Sequence, residues 1–188
     1  MLLSDRLLDL GEYLEEHGFA LDEAGPGMAV ELANLKESLP APTGFSIQLA
    51  EDDVAWQDWS RAMAAGFEAP ATADYVVKAW HDLLSQADPE TTLAYTGWLN
   101  HRPVATSLLF LAAGVAGIYA VATIPEARRK GIGALISQYP LMRARAMGYK
   151  VGVLQSSEMG LGVYRSLGFQ EYCEIVSYRW QPERTSAG

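Results

Sequence analysis

Cysteine is nearly missing from this chain. Cys173 stands alone, which rules out an internal disulfide and with it a small secreted fold held by cross-links. The N-terminus "MLLSDRLLDLGEYLEE" is too acidic and too interrupted for a signal peptide, so the cytoplasm is the expected compartment. Positive charge is scarce as well: 14 Lys and Arg stand against 23 Asp and Glu, a net charge of −9. That balance weighs against nonspecific binding to nucleic acid or an anionic membrane surface. His17, His81 and His101 are scattered and have no Cys partner near them, so no metal site is expected. What the chain does have is apolar residues. At 49% hydrophobic over 188 residues it can build one domain with a substantial core, with or without an appendage.

Charge also vanishes locally. Between Pro103 and Pro125 no charged residue occurs, and "RRK" follows soon after, a pattern that a membrane span with a positive flank would share. Gly114 and Gly117 interrupt the run near its middle, and "VATSLLFLA" and "GIYAVAT" are each of strand length. Two buried strands joined by a turn account for the same residues, and that is the reading adopted.

Leu3, Leu7, Leu10 and Leu14 recur at helical spacing among acidic residues, which predicts an amphipathic helix over 3–16. Met28, Leu32, Leu35 and Leu39 suggest a second helix, and "PAPTG" at 40–44 reads as a linker. Residues 1–44 are thus expected to form a helical appendage, its leucine stripes covered by the domain or by a second subunit in a homodimer. Then come a strand "FSIQLA", a helix opening at Asp52 or Asp53 with Trp56, Trp59 and Met63 on one face, and a loop "GFEAPAT". A helix with Tyr75, Ala79, Trp80 and Leu83 follows, and then three strands, "TTLAYTGWL", "PVATSLLFLA" and "GIYAVAT", the first two joined by a turn at "NHR". A helix from about 131 to 147, bent at Pro140, leads to a strand "KVGVLQS", a short helix in "GLGVYRSL" and a final strand pair "FQEYCE" and "IVSYRW". The order predicts an α/β domain over 45–182 with a mixed, mostly antiparallel central sheet and flanking helices, and a disordered tail at 183–188. The tryptophans Trp56, Trp59, Trp80 and Trp98 read as core.

"TIPEARRKGIG", 123–133, carries the chemistry. Three consecutive cations, Arg128, Arg129 and Lys130, precede Gly131 and Gly133 at the start of a helix. A helix N-terminus offers unpaired N–H groups and the positive end of a macrodipole, and glycine lets an anion approach the backbone. A Walker loop would need Lys and Ser or Thr after the second glycine, where Ala134 and Leu135 stand. A dinucleotide fingerprint would need glycine at Ile136. Glycines kept only for a tight strand-to-helix turn are the bland alternative.

The sequence of an apolar strand, "TIPEARRKGIG", an amphipathic helix, a second strand and "GVYRSLGF" resembles the GNAT superfamily of N-acetyltransferases. The resemblance implies that Arg128, Gly131 and Gly133, with Arg129, Lys130, Ile132 and Ala134 around them, receive the pyrophosphate of acetyl-CoA. It also implies that Val121, Ala122 and Thr123 splay from "KVGVLQS" so that the pantetheine arm pairs with free backbone groups. Tyr164 matches the family tyrosine that protonates the leaving thiolate as general acid. Ser157 stands where many members have a cofactor-contacting asparagine, and "GVAGIYAVAT" lacks the carboxylate that several members use as base. Glu68, His101 or a water chain would then take the proton of the amine. Phe67, Glu68 and Tyr119 are candidates for the acceptor cleft. The implied activity is transfer of an acetyl group to a primary amine of a small molecule or protein in a ternary complex. A non-catalytic acyl-CoA-binding sensor is the alternative.

Overall fold

The computed structural model describes residues 10–36, 38–68, 78–80, 82, 84 and 86–180. The second half of the helix expected over 3–16 is described and is helical, Leu10–Glu16, while most of the helix expected around Tyr75 to Leu83 and the tail at 183–188 lie outside these residues. In chain order the described elements are α1 (Leu10–Glu16), β1 (Phe19–Glu31), β2 (Phe45–Leu49), α2 (Asp53–Gly66), β3 (Thr92–Leu99) and β4 (Arg102–Ala112). They continue with β5 (Val115–Thr123), α3 (Ile132–Ala146), β6 (Val151–Gln155), α4 (Leu161–Ser166) and β7 (Gln170–Trp180). The strands form one seven-stranded sheet in the order β2-β3-β4-β5-β6-β1-β7. Every neighbouring pair is antiparallel except β5 and β6. The expected mixed, mostly antiparallel α/β architecture is therefore present.

The uncharged run is the centre of this sheet. Val104, Ala105, Leu109 and Leu111 of β4 and Ala116 and Ile118 of β5 are buried in the main core, under α3. On the other face Trp59 and Met63 of α2 pack with Ala94 and Leu108, and Trp59 donates its indole N–H to Ser107 O at 3.2 Å. Asp52 caps α2 by accepting from the Ala55 N–H at 2.8 Å. Among the described residues no helix is long and apolar enough to cross a membrane.

Two expectations are corrected. Met28, Leu32 and Leu35 do not lie on a helix: Met28 belongs to strand β1, and Leu32 opens a short 3-10 turn, Leu32–Asn34. Strand β1 sits inside the sheet, paired on one side with β6 and on the other with β7. Its apolar residues satisfy helical spacing and strand alternation alike, since Met28 and Val30 point to one face and the chain then turns into Leu32 and Leu35. All four are buried in the same core as α3. Phe19–Glu31, within the expected appendage, is thus a strand of the sheet. Secondly, "FQEYCE" and "IVSYRW" form one continuous strand, β7, because nothing between Glu174 and Ile175 turns the chain. Helix α3 is continuous through Pro140, a fully buried residue, although the proline withholds a bond from Ile136 O.

Candidate active site

Strands β5 and β6 run side by side for only a short distance. Their ladder consists of Ala116 opposite Gly152 and Gly117 opposite Val153. Beyond it β5 continues to Thr123 and β6 to Gln155 without pairing to each other, while β6 stays bonded to β1 as far as Gln155. A bulge helps to part them. Leu108 opposes Tyr119 and Thr106 opposes Ala122, so the β5 strand carries an extra residue here, with Ala120 at φ +47°. Thr106 Oγ1 donates to Ala120 O at 2.9 Å and fixes the bulge. The result is a V-shaped cleft at the C-terminal ends of two parallel strands, with unpaired strand edges on both walls.

At the open end of the cleft the chain passes through a short 3-10 turn, Pro125–Ala127, into the glycine loop and α3. Gly131 is the N-cap of α3, at φ +78° and with no side chain to cap it, and the first intrahelical bond runs from the Leu135 N–H to Gly131 O. The N–H groups of Ile132, Gly133 and Ala134 are left for an outside acceptor. A Cβ added at Gly131 would meet only Pro40 O, at 3.8 Å, and one at Gly133 only Thr123 Oγ1, at 3.8 Å. The protein's own packing does not require the second glycine. The open space above it is what a phosphate would fill, so these residues fit the pyrophosphate of acetyl-CoA.

The three cations part company. Arg128 turns inward: Nε donates to Thr123 O at 3.1 Å, Nη2 to Gly66 O at 2.9 Å, and Nη1 pairs with Glu68 at 2.7 Å. Lys130 Nζ donates to Glu126 O at 3.0 Å. Arg129 is exposed at φ +64°. Ile132 is buried in the core and Ala134 half-buried, so each can face the cleft only through its backbone.

Tyr164 lies on α4, 8% exposed, with its ring edge-on to Phe169 at 5.8 Å. Burial pushes its pKa up to about 12, and the neighbouring Ser137 hydroxyl pulls it the other way. Ser137 in turn donates to Gly133 O at 2.8 Å, so the phenol is linked through one side chain to the first turn of α3. Sequence reasoning passed over Ser137, although its position four residues after Gly133 places both on one helix face. The phenol is protonated at neutral pH with or without this shift, as a proton donor must be. The shift has a thermodynamic signature. The folded value lies above the unfolded one of roughly 10, so the contribution is complete below pH 10 and lost as pH rises toward 12. Urea melts of the parent protein are expected to show up to about 3 kcal/mol more destabilisation across that interval than melts of Tyr164→Phe. Identical alkaline losses would mean that the phenol titrates normally.

Other expected site residues are not brought together. Ser157 Oγ accepts from the Gly160 N–H at 3.2 Å and so serves the turn before α4. Tyr119 is exposed and folds over Gly117, where an added Cβ would lie 2.6 Å from its ring. Phe67 and Glu68 follow the end of α2, which is pressed against Ala122 and Thr123 by the absence of a side chain at Gly66. Glu68 is therefore at the open end of the cleft, roughly 20 Å of strand from the ladder at Gly117. His101 sits in the hairpin turn between β3 and β4, at φ +64°. Among the described residues no group of His, Cys, Asp and Glu gathers as metal ligands.

The sheet thus splays beside a glycine-led helix start, which leaves open strand edges and a helix N-terminus next to one another. Residues 53–169 match the Acetyltransferase (GNAT) family, and the chain belongs to it. Among solved structures it is similar to a GCN5-related N-acetyltransferase from Kribbella flavida, at 24% identity and TM-score 0.68, over 90% of this chain and 63% of that one. A GCN5-related N-acetyltransferase from Sphaerobacter thermophilus is similar at 20% identity and TM-score 0.70, over 89% of this chain and 54% of that one. The chain thus spans less than two thirds of the length of either. AAC(6')-Iy, solved with the bisubstrate analog CoA-S-monomethyl-acetylneamine, is similar at 15% identity and TM-score 0.59, over 73% of this chain and 99% of that one. No match was found among curated proteins. The family is one of acetyl-CoA-dependent acyltransferases.

Proposed function

We propose that this chain transfers the acetyl group of acetyl-CoA to a primary amine, of a small molecule or a protein, by direct attack in a ternary complex. The observation that carries this reading is the parting of β5 from β6 next to an uncapped helix N-terminus. Acetyl-CoA would supply an activated thioester. The backbone of Gly131 to Ala134 would hold its phosphates. The free edges along Val121 to Thr123 would pair with its amides, since a buried backbone group left without a partner costs about 1 to 3 kcal/mol. Alignment of thioester and amine is then the main source of rate, worth on the order of 7 to 11 kcal/mol for well-oriented reactants. Tyr164 would keep a proton at Oη for the departing sulfur. Glu68 serves poorly as base, because it is held by Arg128 at the phosphate end. A water chain suits the amine proton better, and Tyr119 lines the acceptor side.

The test is an acceptor screen with purified protein, reading thiol release and product mass. Thiol release with an amine is expected, and with Tyr164→Phe turnover should fall roughly ten- to a thousandfold at unchanged CoA affinity. Equal turnover of variant and parent, where chemistry limits the rate, would return Tyr164 to packing. The absence of a carboxylate on β5 favours a second reading, an acyl-CoA-binding sensor. Tight CoA binding without thiol release across the panel would support it.

A further inference from the structure

The end of the cleft remote from Gly131 has a surface chemistry of its own. On β4 and β5 Leu108 lies opposite Tyr119, and Phe110 lies opposite Gly117. Opposed residues of neighbouring strands share a face, so these four lie on the side where Trp59 and Met63 of α2 pack against Leu108. Helix α2 leaves the two aromatics open: Phe110 is 42% and Tyr119 48% exposed. Single exposed apolar residues are ordinary, but here two large rings stand on adjacent strands. A Cβ at Gly117 would lie 2.6 Å from the Tyr119 ring and 2.9 Å from its Oη, so the ring leans back along β5 toward the position opposite Phe110. Gly117 is also the last rung that β5 shares with β6, opposite the half-buried Val153. The aromatic floor therefore lies where the strands begin to part, and a ligand with its phosphates at Gly131 would end its extended arm beside it.

The strands that form this floor carry no charge there. No charged residue occurs between Pro103 and Pro125 or in β6, and Glu68 is held by Arg128 at the opposite end of the cleft. An acceptor recognised through several ammonium groups would need carboxylates that these strands do not have. A flat apolar body would instead cover both rings. Apolar cover also favours the neutral form of the amine, because desolvation lowers the pKa of an ammonium group. Loss of its proton to water then suffices, which suits a strand β5 without a carboxylate.

We propose that the acceptor is a primary amine carried on an aromatic body, an arylalkylamine, seated on Phe110 and Tyr119. This rests on the acetyl-transfer reading above, and the experiment separates the two. In the step itself the neutral amine forms the new C–N bond with its lone pair while the C–S bond breaks. The nitrogen gives up one proton and the sulfur takes one, so the products are the N-acetyl amine and free CoA. Thiol release from acetyl-CoA is followed with the full chain for phenethylamine, ethylamine and spermidine, and calorimetry measures phenethylamine binding to the CoA complex. The parent should use phenethylamine with kcat/KM about tenfold or more above either of the others. Phe110→Ala and Tyr119→Ala change exposed positions, where substitution disturbs the fold little, and should cut that preference to about threefold or less through KM rather than kcat. A preference for spermidine, or a parental preference in both variants, would overturn the aromatic seat. If no amine releases thiol, the transfer reading fails, and calorimetry decides the rest. Phenethylamine binding that Phe110→Ala weakens would then support the seat, and absence of binding would overturn it.

Discussion

A chain that begins at Gly44 is expected to lose its cooperative thermal transition. The truncation removes β1, among the described residues the sole strand partner of β7 and one of the two partners of β6. It also removes Met28, Val30, Leu32 and Leu35, each no more than 5% exposed and all part of the core under α3. Burial of four such side chains is worth about 6 to 12 kcal/mol, which equals most or all of the net stability of an ordinary domain. Gly152 shows how tightly the segment is seated, because an added Cβ there would meet Leu141 at 2.7 Å, Leu32 at 3.0 Å and Val30 at 3.2 Å. Differential scanning calorimetry of the shortened chain should show no cooperative peak, and amide exchange should be fast throughout β6 and β7. A sharp transition near that of the full chain would restore the first 44 residues to the status of an appendage.

Replacing Gly131 with Val should weaken CoA binding at least a hundredfold, about 2.7 kcal/mol or more. Two effects act in one direction. At φ +78° a β-branched residue is strained, so the loop would shift and take with it the N–H groups at the head of α3. The new side chain would also enter the space that the phosphates need. Gly133→Ala makes a useful companion, because it changes a glycine of the same loop at a position where a Cβ has room. Its Cβ meets nothing within the protein closer than 3.8 Å, and alanine favours a helix by up to about 1 kcal/mol over glycine, so the melting temperature should hold or rise. Its CoA affinity should stay close to that of the parent, because the family pattern takes Gly or Ala at this position. Titration calorimetry that finds parental affinity in a folded Gly131→Val variant would remove the loop from the binding site.

Local rules that need no partner were legible in the sequence. The cap at Asp52, the strands of the uncharged run and the glycines ahead of α3 each follow from short stretches whose chemistry is complete in itself. Spacing failed where two periods agreed. Apolar residues at 28, 32 and 35 fit a helix, and only the edges offered by β6 and β7 make the segment before Leu32 a strand. Pro140 does not end the helix, because a helix buried along most of one face is held by its packing although one internal bond is missing.

The sequence by itself determined the uncapped, glycine-led start of α3 and the polarity of the loop before it, since both depend on backbone freedom and residue type at fixed positions. It also determined that Tyr164 follows β6 on a short helix. The tertiary structure decided the rest. It set Tyr164 beside Ser137, drew Glu68 away to Arg128, and made β1 the strand that joins β6 to β7. Each of these is a choice of partner between residues far apart in the chain, and such choices are settled by packing and by the satisfaction of buried polar groups.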